Sequence, residues 1–185
     1  MKILVAYASR HGATKGIAER IAEVLGRTRH DVTIAPVSRV ESLDGYDTFV
    51  IGSAAYLGGW LDEATTLVRR NQDVLAAHPV WLFSSGPTSA DAVDAKGRDQ
   101  LDAARPKEFA EFARSIQPRD QRVFFGAYDP GAPPTGMAER LMSGFMRLAP
   151  AARRALPAGD FRDWPAIEAW ASGIAAELEG VATPA

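Results

Sequence analysis

The chain has 185 residues, of which 46% are apolar, and this length supports one hydrophobic core in a single domain spanning residues 1–185. Its formal net charge of −2 gives no electrostatic field that would gather nucleic acid or hold a membrane surface by charge alone. The chain contains no cysteine, which excludes disulfides, thiolate catalysis and iron–sulfur clusters. Redox chemistry would therefore depend on a bound cofactor.

Short apolar runs recur along the chain and predict five buried strands. The runs cover residues 3–7, 32–37, 48–51, 80–83 and 123–127. The first run is too short for a secretory signal, and no run approaches the ~20 apolar residues of a membrane span. We therefore expect a cytoplasmic protein.

Helical patterns alternate with these strands. The first helix carries one apolar face, formed by Ile17, Ala18, Ile21, Ala22 and Leu25, and ends at Gly26. Further helices are predicted over residues 61–75 and 109–116, and Asp163 with Pro165 predicts the start of a final helix. This alternation is typical of an α/β three-layer sandwich, with a five-stranded parallel sheet in the order 2-1-3-4-5 and helices on both faces.

Two segments depart from this pattern. Residues 88–107 are polar and predict a long loop with at most a short helix. Residues 129–161 are rich in Pro and Gly and predict an inserted excursion, in which Leu141, Met142, Phe145 and Leu148 form an apolar stripe among arginines. The stripe has several interpretations: an extra packed helix, a cover over a bound ligand, a site for an apolar substrate, or a peripheral membrane contact through residues 138–148.

Ligands of open parallel sheets bind beyond the carboxyl ends of the strands where strand order reverses, here between the first and third strands. The loop after the first strand consists of Ser9, Arg10, His11, Gly12, Ala13 and Thr14. Hydroxyls at both ends, a glycine and a helix start predict a cradle for phosphate. The loop lacks both the Gly-Lys-Ser/Thr of a Walker motif and the Gly-x-Gly-x-x-Gly of dinucleotide sites, which favours a monophosphate. In the alternative interpretation, Ser9 and Thr14 only cap a tight turn.

The next two loops predict contacts with a flat ring. After the third strand come Ala54, Ala55, Tyr56, Leu57 and Gly58, whose backbone can lie against a ring while Tyr56 stacks on it. Trp60, close behind, is equally compatible with ring contact and with a core position. After the fourth strand come Ser84, Ser85, Gly86 and Pro87, small residues that leave room for a cavity.

These loops carry a family resemblance. Residues 9–14 resemble the flavodoxin phosphate signature Thr/Ser-x-Thr-Gly-x-Thr, although His11 replaces the usual hydroxyl, and the later loops resemble the two flavin-contacting loops of that family. The tail over residues 159–164, Gly-Asp-Phe-Arg-Asp-Trp, resembles flavodoxin-domain proteins related to quinone-linked protoporphyrinogen dehydrogenase. The resemblance covers essentially the whole chain. It implies FMN, with the phosphate on residues 9–14 and the ring between residues 54–58 and 84–87.

The resemblance implies an FMN-dependent oxidoreductase, of the quinone-linked protoporphyrinogen dehydrogenase kind, that acts on a quinone or porphyrinogen. A non-enzymatic electron carrier for a partner protein is the alternative. The near-neutral charge departs from strongly acidic carriers. Residues 84–108 contain no aromatic side chain, so we expect one ring face to be open to a substrate or to another element. A phosphoacceptor receiver domain is excluded, because Ser9 and Ser53 follow the strands where acidic residues are needed.

Overall fold

The computed structural model describes residues 1–89, 91–93, 96–129 and 158–181, along which strands and helices alternate as predicted. The strands are β1 Lys2–Ala8, β2 Asp31–Pro36, β3 Thr48–Tyr56, β4 Gly59–Trp60, β5 Val80–Ser85, β6 Asp120–Phe124, β7 Ala127–Tyr128 and β8 Gly159–Asp160. The helices are α1 Ala13–Gly26, α2 Asp62–Arg70, α3 Gln72–Ala76, α4 Gln100–Ala103, α5 Glu108–Ser115 and α6 Trp164–Val181, with a 3-10 turn at Val37–Arg39.

The long strands form one parallel sheet in the spatial order β2-β1-β3-β5-β6. Counting only the long strands, this is the predicted order 2-1-3-4-5, which is confirmed. The short β4 folds back antiparallel on β3, and β7 pairs antiparallel with β8 in a separate ribbon. Strand order reverses between β1 and β3, which places the candidate site at the carboxyl ends of these strands.

Two apolar clusters cover the two faces of the sheet. Alternate residues of β1 divide between them, because successive side chains of a strand point to opposite faces. Leu4 joins a cluster with the α2 and α5 side chains, among them Leu67 and Phe112. Ile3 joins a cluster with the α1 and α6 side chains, among them Ile17 and Ile167. The three-layer arrangement predicted from the alternating pattern is confirmed.

Three strands differ from their predicted bounds by more than one residue: β3, β6, and β5, which ends at Ser85 rather than Phe83. β3 continues to Tyr56 through small residues that the sequence suggested were loop, and Gly52 lies under the Phe83 ring, which a Cβ there would overlap. β6 runs over Asp120–Phe124 rather than 123–127, because it is the edge strand, where polar and partly exposed residues can pair with β5. The single helix predicted over residues 61–75 is divided into α2 and α3 at Asn71.

The ends of the predicted excursion are paired with each other. Ala127 lies opposite Asp160, and Tyr128 lies opposite Gly159, in the β7–β8 ribbon. Residues 130–157, including the apolar stripe over 138–148, lie outside the described residues, so the interpretations of the stripe stay predictions. No helix in the described part of the chain has the length and hydropathy needed to cross a membrane.

Candidate functional site

The strand register brings the three predicted loops to one edge of the sheet. Ala8 at the end of β1 pairs with Ser53 of β3, and Ser53 pairs with Ser84 of β5. These three residues form one row across the sheet. The segments that follow them, residues 9–14, 54–58 and 85–87, therefore lie next to one another.

The loop over residues 9–14 turns into α1 through a left-handed glycine. Gly12 has φ +84° and occupies the N-cap position of the helix. Its N–H donates to Ser9 Oγ at 3.0 Å, and the Gly16 N–H donates to the Gly12 carbonyl at 2.9 Å. No side chain caps the helix, and its first turn contains no acidic residue. This end of α1 therefore presents backbone donors and a partial positive charge that suit an anion.

The Thr14 hydroxyl lies inside the protein. Thr14 is fully buried, and its Oγ1 is 2.7 Å from Ser85 Oγ, which is also buried. This hydrogen bond joins the phosphate loop to the end of β5, so the structure brings two predicted site residues together. A direct contact from Thr14 to a phosphate stays a prediction, because no part of its side chain is accessible in this conformation.

The segment after Ala55 forms a tight hairpin. Tyr56 pairs with Gly59, and the two residues between them have positive φ, +50° at Leu57 and +76° at Gly58. These values are typical of a two-residue type I′ turn. The Leu57 side chain is completely exposed, and Tyr56 is 38% exposed. The predicted ring contacts thus lie at an exposed hairpin end rather than in an irregular loop.

Hydrogen bonds from β3 and from the start of α5 fix the backbone of this hairpin on its buried side. The buried Glu108 carboxylate accepts the Trp60 N–H at 3.0 Å, and the Lys107 N–H donates to the Gly58 carbonyl at 3.0 Å. Ser53 Oγ accepts the Leu61 N–H at 3.1 Å. The sequence analysis missed Glu108, because a glutamate in the first turn of a helix is ordinarily exposed and favoured by the helix dipole.

Trp60 occupies the core. It is 5% exposed, and its ring meets Phe109 edge-on, with 5.5 Å between the ring centroids. Of the two interpretations of Trp60, the structure therefore favours core packing. Tyr56 is the aromatic side chain of this segment that reaches the surface.

The last predicted loop is fixed to its neighbours by hydrogen bonds. Ser84 is fully buried and its hydroxyl donates to the Ser53 carbonyl at 3.3 Å. The Gly86 N–H donates to the Phe124 carbonyl at 2.9 Å, and the Pro87 carbonyl accepts the Gly126 N–H at 2.8 Å. Gly86 and Pro87 are half-buried, whereas Ser84 and Ser85 belong to β5. The accessible part of this loop thus begins at Gly86.

A groove with a volume of about 530 Å³ borders the phosphate loop, and its walls include Gly12, Lys15, Arg162 and Trp164. A second cavity, of about 380 Å³, lies beside the amino end of β6 and contains none of the predicted site residues. Within the described ranges, no group of three metal-ligating side chains comes together. The edge thus combines the open start of α1 with the exposed end of the β3–β4 hairpin.

These features define an α/β protein with a phosphate-type loop at the point where strand order reverses. A model of the flavodoxin domain matches residues 4–143, and the chain belongs to the flavodoxin domain family. Domains of this family bind FMN and act in electron transfer, which confirms the predicted cofactor and the general class of function. Comparison with curated proteins gives no match.

The solved structures similar to this chain share its fold at low sequence identity. Rubredoxin oxygen:oxidoreductase from Desulfovibrio gigas is 13% identical, with a TM-score of 0.60, over 99% of this chain and 37% of that one. Oxidised flavodoxin 1 from Bacillus cereus is 16% identical, with a TM-score of 0.48, over 70% of this chain and 87% of that one. A mutant flavodoxin from Pseudomonas aeruginosa is 17% identical, with a TM-score of 0.49, over 68% of this chain and 84% of that one. This chain thus spans little more than a third of the Desulfovibrio protein.

Proposed function

We propose that this chain binds FMN across the carboxyl edge of β1, β3 and β5 and acts as an oxidoreductase on a small redox substrate. The observation that carries the proposal is the uncapped start of α1 at this edge, where Gly12 adopts φ +84°. An added Cβ at Gly12 would meet no atom within 4 Å, so there is open space in front of the helix end. Backbone donors, the helix dipole and this space together fit a phosphate monoester.

The residues of the three segments have separate roles in this proposal. Residues 9–14 hold the phosphate, and residues 54–58 and the accessible part of 84–87, which is Gly86 and Pro87, bind the two sides of the ring. Bound FMN supplies the electron or hydride transfer. The chain contributes binding and orientation, because the Glu108 carboxylate and the Lys107 N–H hold the hairpin that carries Tyr56 and Leu57.

If one face of the bound flavin ring stays open, a small substrate can reach it, and this supports an enzyme rather than a carrier. Trp60 is in the core, and residues 84–108 contain no aromatic side chain, so Tyr56 is the ring-stacking candidate. The exposed side chains near this edge include Arg10, Lys15 and Lys107. An acidic surface would instead favour docking on a basic redox protein.

Within this function, the tail over residues 159–164 supports the finer hypothesis of porphyrinogen oxidation with a quinone as acceptor. The second candidate is an electron carrier for a partner protein.

Flavin titration tests the binding proposal. Riboflavin shares the ring of FMN but lacks its phosphate, so we expect the purified chain to bind FMN at least about tenfold more tightly, measured by quenching of flavin fluorescence. Equal affinities for the two flavins would remove the phosphate assignment of residues 9–14.

Reoxidation of the reduced protein separates the enzyme from the carrier. The FMN-loaded chain is reduced chemically without oxygen and mixed with a short-chain quinone or with a one-electron acceptor protein such as a cytochrome c. We expect faster reoxidation by the quinone, and oxidation of a porphyrinogen to be catalysed when quinone is supplied. Rapid reoxidation by the acceptor protein alone would favour the carrier.

A further inference from the structure

The tail motif over residues 159–164 places one arginine against the phosphate loop. The Arg162 guanidinium forms a bidentate salt bridge with Asp160, in which Nε donates to Oδ1 at 2.7 Å and Nη2 donates to Oδ2 at 2.6 Å. Its carbon centre lies 4.4 Å from the centroid of the Trp164 ring. The Arg162 side chain is only 17% exposed. Carboxylate and ring together fix the plane of the guanidinium.

The remaining nitrogen of this fixed group points at α1. Arg162 Nη1 donates to the Ala13 carbonyl at 3.3 Å, across 149 positions of sequence. The same nitrogen packs on Gly16, where an added Cβ would overlap it. Ala13 and Gly16 both belong to the first turn and a half of α1, directly after Gly12. The tail thus contacts the part of the helix that faces the proposed phosphate.

The contact positions the helix more than it adds charge. Asp160 offsets the charge of Arg162, and the hydrogen bond that it accepts from Arg162 lowers the pKa of the Asp160 carboxyl. The start of α1 has no side-chain cap. Other contacts must therefore keep its first turn from unwinding. The Thr14–Ser85 hydrogen bond anchors it from within, and Arg162 anchors it from outside.

We propose that Arg162 is a positioning residue for the phosphate loop, which it keeps in the conformation that receives the flavin phosphate. This inference rests on the proposed binding of FMN phosphate at residues 9–14. It assigns a physical role to the tail motif that family membership leaves without one, and it makes phosphate binding depend on a residue close to the β7–β8 ribbon.

The first test replaces Arg162 by lysine. A lysine ammonium cannot form a bidentate contact with Asp160 and also donate to the Ala13 carbonyl. We expect Arg162→Lys to weaken FMN binding about tenfold and to change riboflavin binding less than about twofold, because only FMN uses the phosphate loop. The matched control is Arg20→Lys, since the Arg20 guanidinium also lies over the Trp164 ring, 5.4 Å from its centroid, and pairs with Glu168 and Glu23. It should leave both affinities unchanged.

A second variant displaces Arg162 without altering it. Gly16→Ala puts a methyl where Nη1 lies, so the guanidinium must move away from α1 and loses its contact with the Ala13 carbonyl, while the Arg162 and Asp160 side chains are themselves unaltered. Alanine favours helix over glycine, so the variant should be as stable as the parent or more stable, while its FMN affinity falls and its riboflavin affinity does not. Gly173→Ala in α6, where an added Cβ meets no atom within 4 Å, is the control that changes helix propensity alone.

A measurement without flavin separates this inference from the proposed function. Hydrogen exchange at the amides of residues 17–19, which lie beyond the free donors of the helix start and are protected by hydrogen bonds within α1, should be faster in flavin-free Arg162→Lys and Gly16→Ala than in their controls. Unchanged exchange, or FMN and riboflavin affinities that fall by the same factor, would overturn the role of Arg162. If exchange accelerates but the parent chain binds both flavins equally, the helix anchor stands and the proposed phosphate site fails.

Discussion

Gly12 is required at its position by backbone conformation. Its φ of +84° lies in the left-handed region, where a residue with a Cβ costs roughly 1–2 kcal/mol and a β-branched residue costs more. The space around it does not demand glycine, because an added Cβ would meet no atom within 4 Å. A side chain there would, however, project from the N-cap position into the space that we assign to the phosphate.

We therefore expect Gly12→Val to abolish measurable FMN binding with a modest loss of stability. Gly45 provides a matched control, because it has φ +81°, equally open surroundings, and a position before β3, at the opposite edge of the sheet. Gly45→Val should lose a similar free energy of unfolding in urea and retain FMN affinity. Equal loss of FMN affinity in both variants would show that strain alone, and not the phosphate contact, explains the effect.

At the scale of elements, the β3–β4 hairpin depends on a carboxylate from α5. Glu108 is 5% exposed and accepts the N–H of Trp60, while the neighbouring Lys107 N–H holds the Gly58 carbonyl. Gly59 lies close against both side chains, with an added Cβ only 3.2 Å from Glu108 Oε1. The hairpin end that carries Tyr56 and Leu57 is therefore fixed by α5 rather than by its own turn alone.

Loss of this carboxylate should loosen the hairpin. Glu108→Ala leaves the buried Trp60 N–H without its acceptor, and we expect the free energy of unfolding to fall by about 1–3 kcal/mol in urea denaturation. Glu108→Gln keeps an acceptor oxygen and should cost less than about 1 kcal/mol. Because the hairpin is assigned to the ring, FMN and riboflavin affinities should fall by the same factor in Glu108→Ala. A loss confined to FMN would contradict that assignment.

Much of the element pattern could be predicted from the sequence, because α1 and β1 have strong apolar periodicity. The end of β3 could not, since Gly52, Ser53 and Ala54 are typical of loops until the Phe83 ring is seen to need a glycine beneath it. The prediction that the three candidate loops lie together at the carboxyl ends of the strands agrees with the strand register. Which of their side chains are accessible depends on long-range contacts, such as the one between Thr14 and Ser85, which local sequence does not encode.

At the scale of the molecule, α6 is held against the sheet edge by a part-buried polar contact. Asp120 at the start of β6 accepts the Trp170 indole N–H at 2.7 Å and the Arg122 Nε–H at 3.0 Å. Burial raises the pKa of Asp120, but the hydrogen bonds from Trp170, Arg122 and the Gln121 backbone outweigh it, and the pKa lies below its usual value. The ionised carboxylate thus stabilises the folded chain.

The sign of the pH dependence follows from this lowered pKa. The stabilisation by Asp120 is complete above the pKa of an unfolded aspartate, about 4, and disappears as pH falls through the lower folded value. We expect Asp120→Asn to be less stable than the parent at about pH 7 and the difference to shrink below about pH 4, as measured by urea unfolding across this range. The exposed Asp31→Asn is the control for loss of one negative charge. A difference that stays constant down to about pH 2 would mean that packing, not ionisation, carries the effect.

The β7–β8 ribbon also bears on how this domain could diversify. Because Tyr128 and Gly159 are cross-strand neighbours in a ribbon separate from the parallel sheet, the chain leaves this ribbon and returns to it at one point. Whatever joins the two strands, long or short, leaves the register of the parallel sheet untouched, and the cost of closing a loop grows only slowly with its length. Variation could therefore lengthen, shorten or exchange residues 130–157 while β7, β8 and the parallel sheet keep their pairing.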